Sequence, residues 1–94
     1  MVKLPINEIC YVESLQDYLK IHLKDEVLVV RETLSNMNQY LGHQKFVRCH
    51  RSYIIGIRHI TAYTNEYLSM GDKVIPISRS YKEEVLSRLQ GYCL

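Results

Sequence analysis

The clearest pattern in the chain is Tyr18-Leu19-Lys20-Ile21-His22-Leu23-Lys24, where polar and apolar side chains alternate one for one. A period of two places Leu19, Ile21 and Leu23 on the buried face of a strand and leaves Tyr18, Lys20, His22 and Lys24 facing water. Asp25-Glu26 can turn the chain into a second strand over residues 27–31, a hairpin whose turn has neither glycine nor asparagine. Upstream, residues 2–13 read as one or two strands. Ile6, Ile9, Tyr11 and Val12 are β-formers, Pro5 marks a strand end or an edge, and Asn7-Glu8 can turn.

The period then lengthens. Leu34, Met37, Asn38 and Leu41 recur at helical spacing, the Thr33 hydroxyl is placed to accept an amide hydrogen bond, and Gly42 stops the run. A two-turn helix over residues 34–41 follows, its apolar stripe packed against a sheet. Residues 46–49 and 53–55 return to β-branched and aromatic side chains, with His50-Arg51-Ser52 as a tight polar link between them. Gly56 permits a backbone turn that a side chain would forbid.

Residues 60–64 and 67–70 flank Asn65-Glu66, and Gly71-Asp72 leads into residues 73–78, which predicts three short antiparallel strands in succession. Pro76 has no N–H to donate and belongs on an edge or a bulge. Ser80 stands three residues before Glu83, a capping-box spacing. With Tyr81, Val85, Leu86 and Leu89 on one face and Gly91 behind them, a second helix is predicted over residues 81–90. The class is therefore mainly β, with short helices at the periphery.

Composition narrows the possibilities. A chain of 94 residues is one domain or a piece of a larger protein, and it buries only about 60–65% of its unfolded surface, so the core is thin. With 47% hydrophobic residues and only two prolines and four glycines, disorder is a poor reading. No apolar run approaches the roughly 18–20 residues that cross a bilayer, and the N-terminus lacks a secretory pattern, so a cytoplasmic location without direct membrane contact is expected. Cys10, Cys49 and Cys93 have no C-x-x-C spacing and cannot all pair within one chain. They are read as reduced thiols, Cys10 and Cys49 as small buried residues in strands.

The net charge of +2 is unevenly spread. Residues 1–40 sum to −2 and residues 41–94 to +4, and the stretch over residues 46–60, entered from Lys45, carries Arg48, Arg51 and Arg58 with no acidic residue among them. Cations over an apolar anchor suit an anionic polymer. Arg79 precedes a helix N-terminus, where a cation gains nothing from the helix dipole, so it calls for an acidic neighbour or for a phosphate or base edge from outside. An arginine at either place can bond guanine with two prongs or clamp a phosphate, and spacing does not distinguish the two.

Catalytic patterns are missing. His22, His43, His50 and His59 form no metal-binding spacing, and there is no glycine-rich phosphate cradle and no G-x-S-x-G. Neither a metal, a cofactor nor an enzymatic activity is expected.

Three motifs together carry a family resemblance. Ile9-Cys10-Tyr11-Val12-Glu13-Ser14 with Asp17-Tyr18, then Phe46-Val47-Arg48-Cys49-His50-Arg51-Ser52-Tyr53-Ile54-Ile55, then Ile75-Pro76-Ile77-Ser78-Arg79-Ser80-Tyr81, in this order, resemble the LytTR DNA-binding domain of LytR/AlgR-type bacterial response regulators. The resemblance covers nearly all of the chain. It implies an elongated body of small antiparallel sheets with edge helices, and binding to double-stranded DNA by loops that enter successive major grooves and bend the duplex. On the matching positions, Arg51 and Arg79 are the implied base readers, with Gln16 or Asp17 in the loop of residues 15–18. An acidic Asp17 would accept from a cytosine amino group or point away. Lys45, Arg48, Ser52, Ser78, Ser80 and Lys82 are the implied backbone contacts, and His50 shapes the turn by hydrogen bonds.

In one respect the chain departs from the pattern: family domains normally begin with another strand and turn, so residues 1–94 resemble a domain lacking its first strand. The resemblance further implies a receiver domain in a parent two-component regulator, with the isolated domain a monomer and a dimer forming on paired DNA repeats. A transmembrane regulator and a single-domain repressor are alternative parents. A protein-interaction module using the tyrosine-rich surface, or an RNA binder stacking bases on Tyr53 or Tyr18, are the other classes the residues allow.

Overall fold

A computed structural model of the protein describes residues 5–91. Its middle layer is a five-stranded antiparallel sheet in the order β3-β2-β1-β5-β4, built from β1 (Ile9–Leu15), β2 (Tyr18–Leu23), β3 (Val27–Val30), β4 (Phe46–His50) and β5 (Tyr53–Gly56). Helix α1 (Leu34–Leu41) covers one face. A three-stranded sheet of β6 (Ala62–Tyr63), β7 (Tyr67–Met70) and β8 (Lys73–Pro76), together with helix α2 (Lys82–Gly91), covers the other. The long axis measures 34 Å against 25 and 24 Å across.

Covering both faces of the central sheet makes two cores. On the α1 side, Ile9, Val12, Leu19, Ile21, Phe46 and Ile54 meet Leu34, Met37 and Leu41. On the opposite side, Val47, Cys49, Ile55 and Ile57 meet Leu68, Ile75, Ile77, Val85 and Leu89. Burying each of the Val, Leu, Ile, Phe and Met side chains among them contributes about 1.5–3 kcal/mol. The alternation of β2 holds, since Leu19, Ile21 and Leu23 are all buried. Helix α1 also starts and stops where predicted: the Thr33 hydroxyl accepts from the Asn36 amide at 3.1 Å, and Gly42 takes φ +80° behind it. Pro76 lies on β8, an outer strand of the smaller sheet.

Several predicted boundaries shift. Residues 2–4 of the first predicted strand, and Cys93, lie outside the described residues. The turn expected at Asn7-Glu8 is a 3₁₀ turn over Ile6–Glu8, and β1 continues to Leu15. His50 belongs to β4, so the link to β5 is only Arg51-Ser52. Ile57–His59 is a 3₁₀ turn, and the strand predicted over residues 60–64 narrows to the two residues of β6. The last strand ends at Pro76, and the Ser80–Glu83 capping box does not form. Ser80 lies inside a 3₁₀ turn, Arg79–Tyr81, that runs directly into α2, with Ser78 at its N-cap making no side-chain bond.

Two residues are needed for reasons other than those predicted. Gly56 has an ordinary extended backbone, φ −79° and ψ 112°. What excludes a side chain there is close approach, because a Cβ would lie 2.6 Å from the Ile9 carbonyl oxygen. Cys49 is fully buried as expected, whereas Cys10 is only half-buried. Burial raises both thiol pKa values, that of Cys49 to about 12.

Candidate functional site

Antiparallel pairing of β1 with both β2 and β5 brings two turns to one end of the central sheet. Gln16-Asp17 joins β1 to β2, and Arg51-Ser52 joins β4 to β5. The Ser14 amide donates to the Ser52 carbonyl at 2.8 Å, so the second turn is fastened to the base of the first. Gln16 is the only non-glycine residue with positive φ among the described residues, at +51°. A left-handed backbone costs a side chain-bearing residue roughly 1–2 kcal/mol, and it holds Gln16 and Asp17, both exposed, at the apex.

The strand-to-helix corner joins the same end through the Ser78 amide, which donates to the Cys49 carbonyl at 2.8 Å. Arg79 therefore emerges beside the Arg51 turn. Arg48 spans the gap: its Nε donates to the His50 carbonyl at 3.4 Å, its Nη2 donates to the Arg51 carbonyl at 3.0 Å, and its guanidinium lies 5.6 Å from the centre of the Tyr81 ring. His50 folds over the same turn, with Nδ1 accepting from the Ser52 amide at 3.1 Å. That bond requires Nδ1 unprotonated.

Arg51 and Arg79 are exposed, and among the described residues neither pairs with a carboxylate. An arginine beside the free N–H groups at the start of a helix is electrostatically unfavourable by some 0.3–1 kcal/mol. Both groups have the sign that attracts an anion. Ser80 is exposed next to Arg79, while Ser52, Ser78 and Lys82 are half-buried around the corner. Lys45 does not join this cluster. It sits before β4 at the opposite end, its Nζ donating to Asn7 Oδ1 at 3.1 Å, and at 3.3 Å per residue β4 separates it from Arg51 by about 20 Å.

One group of residues escaped the sequence reading. Glu13 accepts from the Tyr53 hydroxyl at 3.4 Å through one carboxylate oxygen and lies 3.3 Å from His22 Nε2 through the other. The His22 ring stacks on Tyr11 at 4.0 Å, and Tyr53 meets His50 edge-on at 5.5 Å. Desolvation and then the Glu13 charge push the Tyr53 hydroxyl above its ordinary pKa. A chain of contacts thus runs from β2 through Glu13 and Tyr53 to His50 and the Arg51 turn. A β1–β2 turn at Gln16-Asp17 sets Tyr11 opposite His22, which makes their stacking legible, but the Glu13–Tyr53–His50 contacts need the pairing of β1 with β5, which no spacing in the sequence encodes. Among the described residues no cluster of His, Cys, Asp and Glu could hold a metal ion, and no helix is long and apolar enough to cross a membrane.

The family model described as the LytTr DNA-binding domain matches residues 1–90. Two curated relatives are similar, each a sensory transduction protein LytT. That of Bacillus cereus is 31% identical over 97 residues, covering 96% of this chain and 39% of the relative. That of Bacillus anthracis is 31% identical over 103 residues, covering 93% of this chain and 42% of the relative. The chain thus spans about two fifths of the length of these relatives. A solved LytTr DNA-binding domain from Bacillus cereus superposes with a TM-score of 0.80 at 26% identity, covering 96% of this chain and 87% of that one.

Proposed function

Since the chain belongs to the LytTr DNA-binding domain family, we propose that it binds double-stranded DNA sequence-specifically, as the effector domain of a transcriptional response regulator. The observation that carries the site assignment is the gathering of Gln16-Asp17, Arg51 and Arg79 at one end of the sheet, with neither arginine paired to a carboxylate among the described residues. No helix is offered as a reading element. The turns enter the major groove, where Arg51 and Arg79 each present two parallel donors to guanine O6 and N7. Asp17 or Gln16 at the left-handed apex reads a neighbouring base, Asp17 as an acceptor for a cytosine amino group.

Positioning falls to the surrounding groups. Ser52, Ser78, Ser80 and Lys82 bracket the readers and suit phosphate oxygens, which fix register without carrying sequence information. Lys45, some 20 Å away by strand rise, reaches a phosphate only along a different part of the duplex. Arg48 has bonds to two turn carbonyls, so its main part is to hold the Arg51 turn, with a remaining N–H group free for a phosphate. His50 shapes the same turn from its other side.

The wider assembly follows from the family. A receiver domain in the parent protein, dimerisation on paired DNA repeats and a cytoplasmic location suit a regulator of this type. Selection of bound sequences from a random duplex pool, followed by salt titration of the winner, tests the function. A defined consensus with a steep negative salt slope is expected, since base readout sets the sequence and phosphate contacts set the slope. Equal capture of unrelated duplexes, or preference for single strands, would overturn it.

A further inference from the structure

One peptide unit in the β4–β5 turn is gripped at both ends. The unit linking Arg51 to Ser52 has its carbonyl oxygen accepting from Arg48 Nη2 at 3.0 Å and its N–H donating to His50 Nδ1 at 3.1 Å. Because the unit is planar, these two bonds set the torsion ψ of Arg51, and with it the direction in which the Arg51 side chain leaves the turn. The two grips respond differently to acid. A guanidinium stays a donor throughout, whereas an imidazole offers an acceptor nitrogen only when neutral and two N–H donors when protonated. A protonated His50 ring would set an N–H against the Ser52 N–H, and that grip would be lost.

The ring is half-buried among groups from several elements. Tyr53 of β5 meets it edge-on at 5.5 Å. The Glu13 carboxylate of β1 stands one step behind, accepting from the Tyr53 hydroxyl at 3.4 Å, with its other oxygen 3.3 Å from His22 of β2. Cations crowd the opposite side: Arg48, whose Nε donates to the His50 carbonyl at 3.4 Å, Arg51 itself, and Arg79 at the corner tied to β4. Lys82, Glu83 and Glu84 open α2 beyond that corner. Among the described residues no carboxylate pairs with His50. The counter-charge for a proton on the ring therefore comes from outside, and a DNA phosphate supplies it.

We propose that sequence-selective DNA binding by this chain is proton-linked through His50: the neutral ring holds the Arg51 turn in its reading geometry, and the protonated ring releases the turn while adding a cation. This rests on the DNA-binding reading above and deepens it. Acid then acts differently on the two kinds of binding. The preferred duplex loses contacts that need an ordered turn, while an unrelated duplex, held by charge alone, keeps or gains affinity. The ratio of the two affinities cancels the charge common to both, so it isolates the state of the turn. With one proton involved, linkage lets that ratio fall by at most about tenfold per pH unit.

Fluorescence anisotropy with the selected and a scrambled duplex, from pH 8 to pH 5.5 at fixed ionic strength, reads the ratio, which should fall about tenfold over that range. His50→Asn places an amide oxygen where Nδ1 stands and does not titrate. It should keep the wild-type ratio at pH 8 and hold it level to pH 5.5. His22→Gln removes the imidazole beside Glu13 and should leave the wild-type profile unchanged. In the free chain, the Ser52 amide proton followed by NMR should move upfield as the His50 ring takes up its proton. A wild-type ratio that changes less than about twofold, a His50→Asn profile that falls like the wild type's, or a Ser52 amide that ignores the His50 titration would each overturn the proposal. A preferred duplex whose advantage persists at pH 5.5 removes this inference alone, whereas finding no preferred duplex at pH 8 removes the functional reading and this inference with it.

Discussion

Arg48 and Tyr81, 33 residues apart in sequence, join two turns: the guanidinium lies 5.6 Å from the ring centre while its Nη2 donates to the Arg51 carbonyl. The contact links the β4–β5 turn to the corner that presents Arg79. Replacing Arg48 with alanine should therefore weaken binding to the preferred duplex by about tenfold, through loosened geometry. If its role is structural, the slope of log affinity against log salt stays unchanged, whereas loss of a direct phosphate contact would reduce that slope by about 0.9. Salt titration of the Arg48→Ala variant separates the two.

The close approach at Gly56 gives a stability prediction independent of DNA. A Cβ there would sit 2.6 Å from the Ile9 carbonyl oxygen and 3.2 Å from that of Cys10, both backbone atoms that cannot swing aside. Gly56→Ala should destabilise the domain by about 1–3 kcal/mol, as overpacking does. Urea unfolding measures it, and a change under about 0.5 kcal/mol would show that β1 and β5 can separate without penalty.

The acid side of the stability profile should involve the start of α1. The Glu32 carboxylate accepts from the Asn36 side-chain amide and from the Thr33 backbone N–H, both at 2.9 Å. These bonds hold its pKa below the ordinary value of 4.5. Its contribution is complete above pH 4.5 and is lost as pH falls through the lower folded value. Amide shifts of Thr33 and Asn36 followed by NMR should titrate below pH 4.5 in the wild type, and Glu32→Gln should remove that transition.

Much of the fold was legible because short-range rules agreed with tertiary packing. The alternation of β2 and the Thr33 and Gly42 boundaries of α1 are local signals that the packing reinforces. The Ser80–Glu83 spacing misled because the Ser78 bond to Cys49 holds the corner in a 3₁₀ turn, so Ser80 never occupies an N-cap. Cys10 and Cys49 look equivalent in sequence, yet the bulge between Ile9 and Tyr11 changes the phase of β1 and leaves Cys10 half-exposed. For the site, Arg51 and Arg79 could be singled out by charge and by resemblance. The part played by Arg48 and the Glu13–Tyr53–His50 contacts depend on distances between strands that no spacing encodes.

The two thiols should also differ chemically. Deprotonation of Cys49 is pushed up to about 12 by burial, and that of Cys10 is raised less and remains accessible. At pH 8 iodoacetamide should label Cys10 in the native protein and reach Cys49 only on unfolding. Mass spectrometry of the peptides reads the order, and early labelling of Cys49 would show that the core beside α2 opens readily.

The most direct test compares wild type, Arg51→Ala and Arg79→Ala on the selected duplex and on a scrambled duplex at one salt concentration. If the two arginines read bases, each variant loses at least about tenfold, or 1.4 kcal/mol, on the selected sequence. The loss on the scrambled sequence is smaller, so the specificity ratio falls. If neither variant loses tenfold on the selected duplex, or if both duplexes lose equally, the arginines are not base readers and the site has been wrongly assigned.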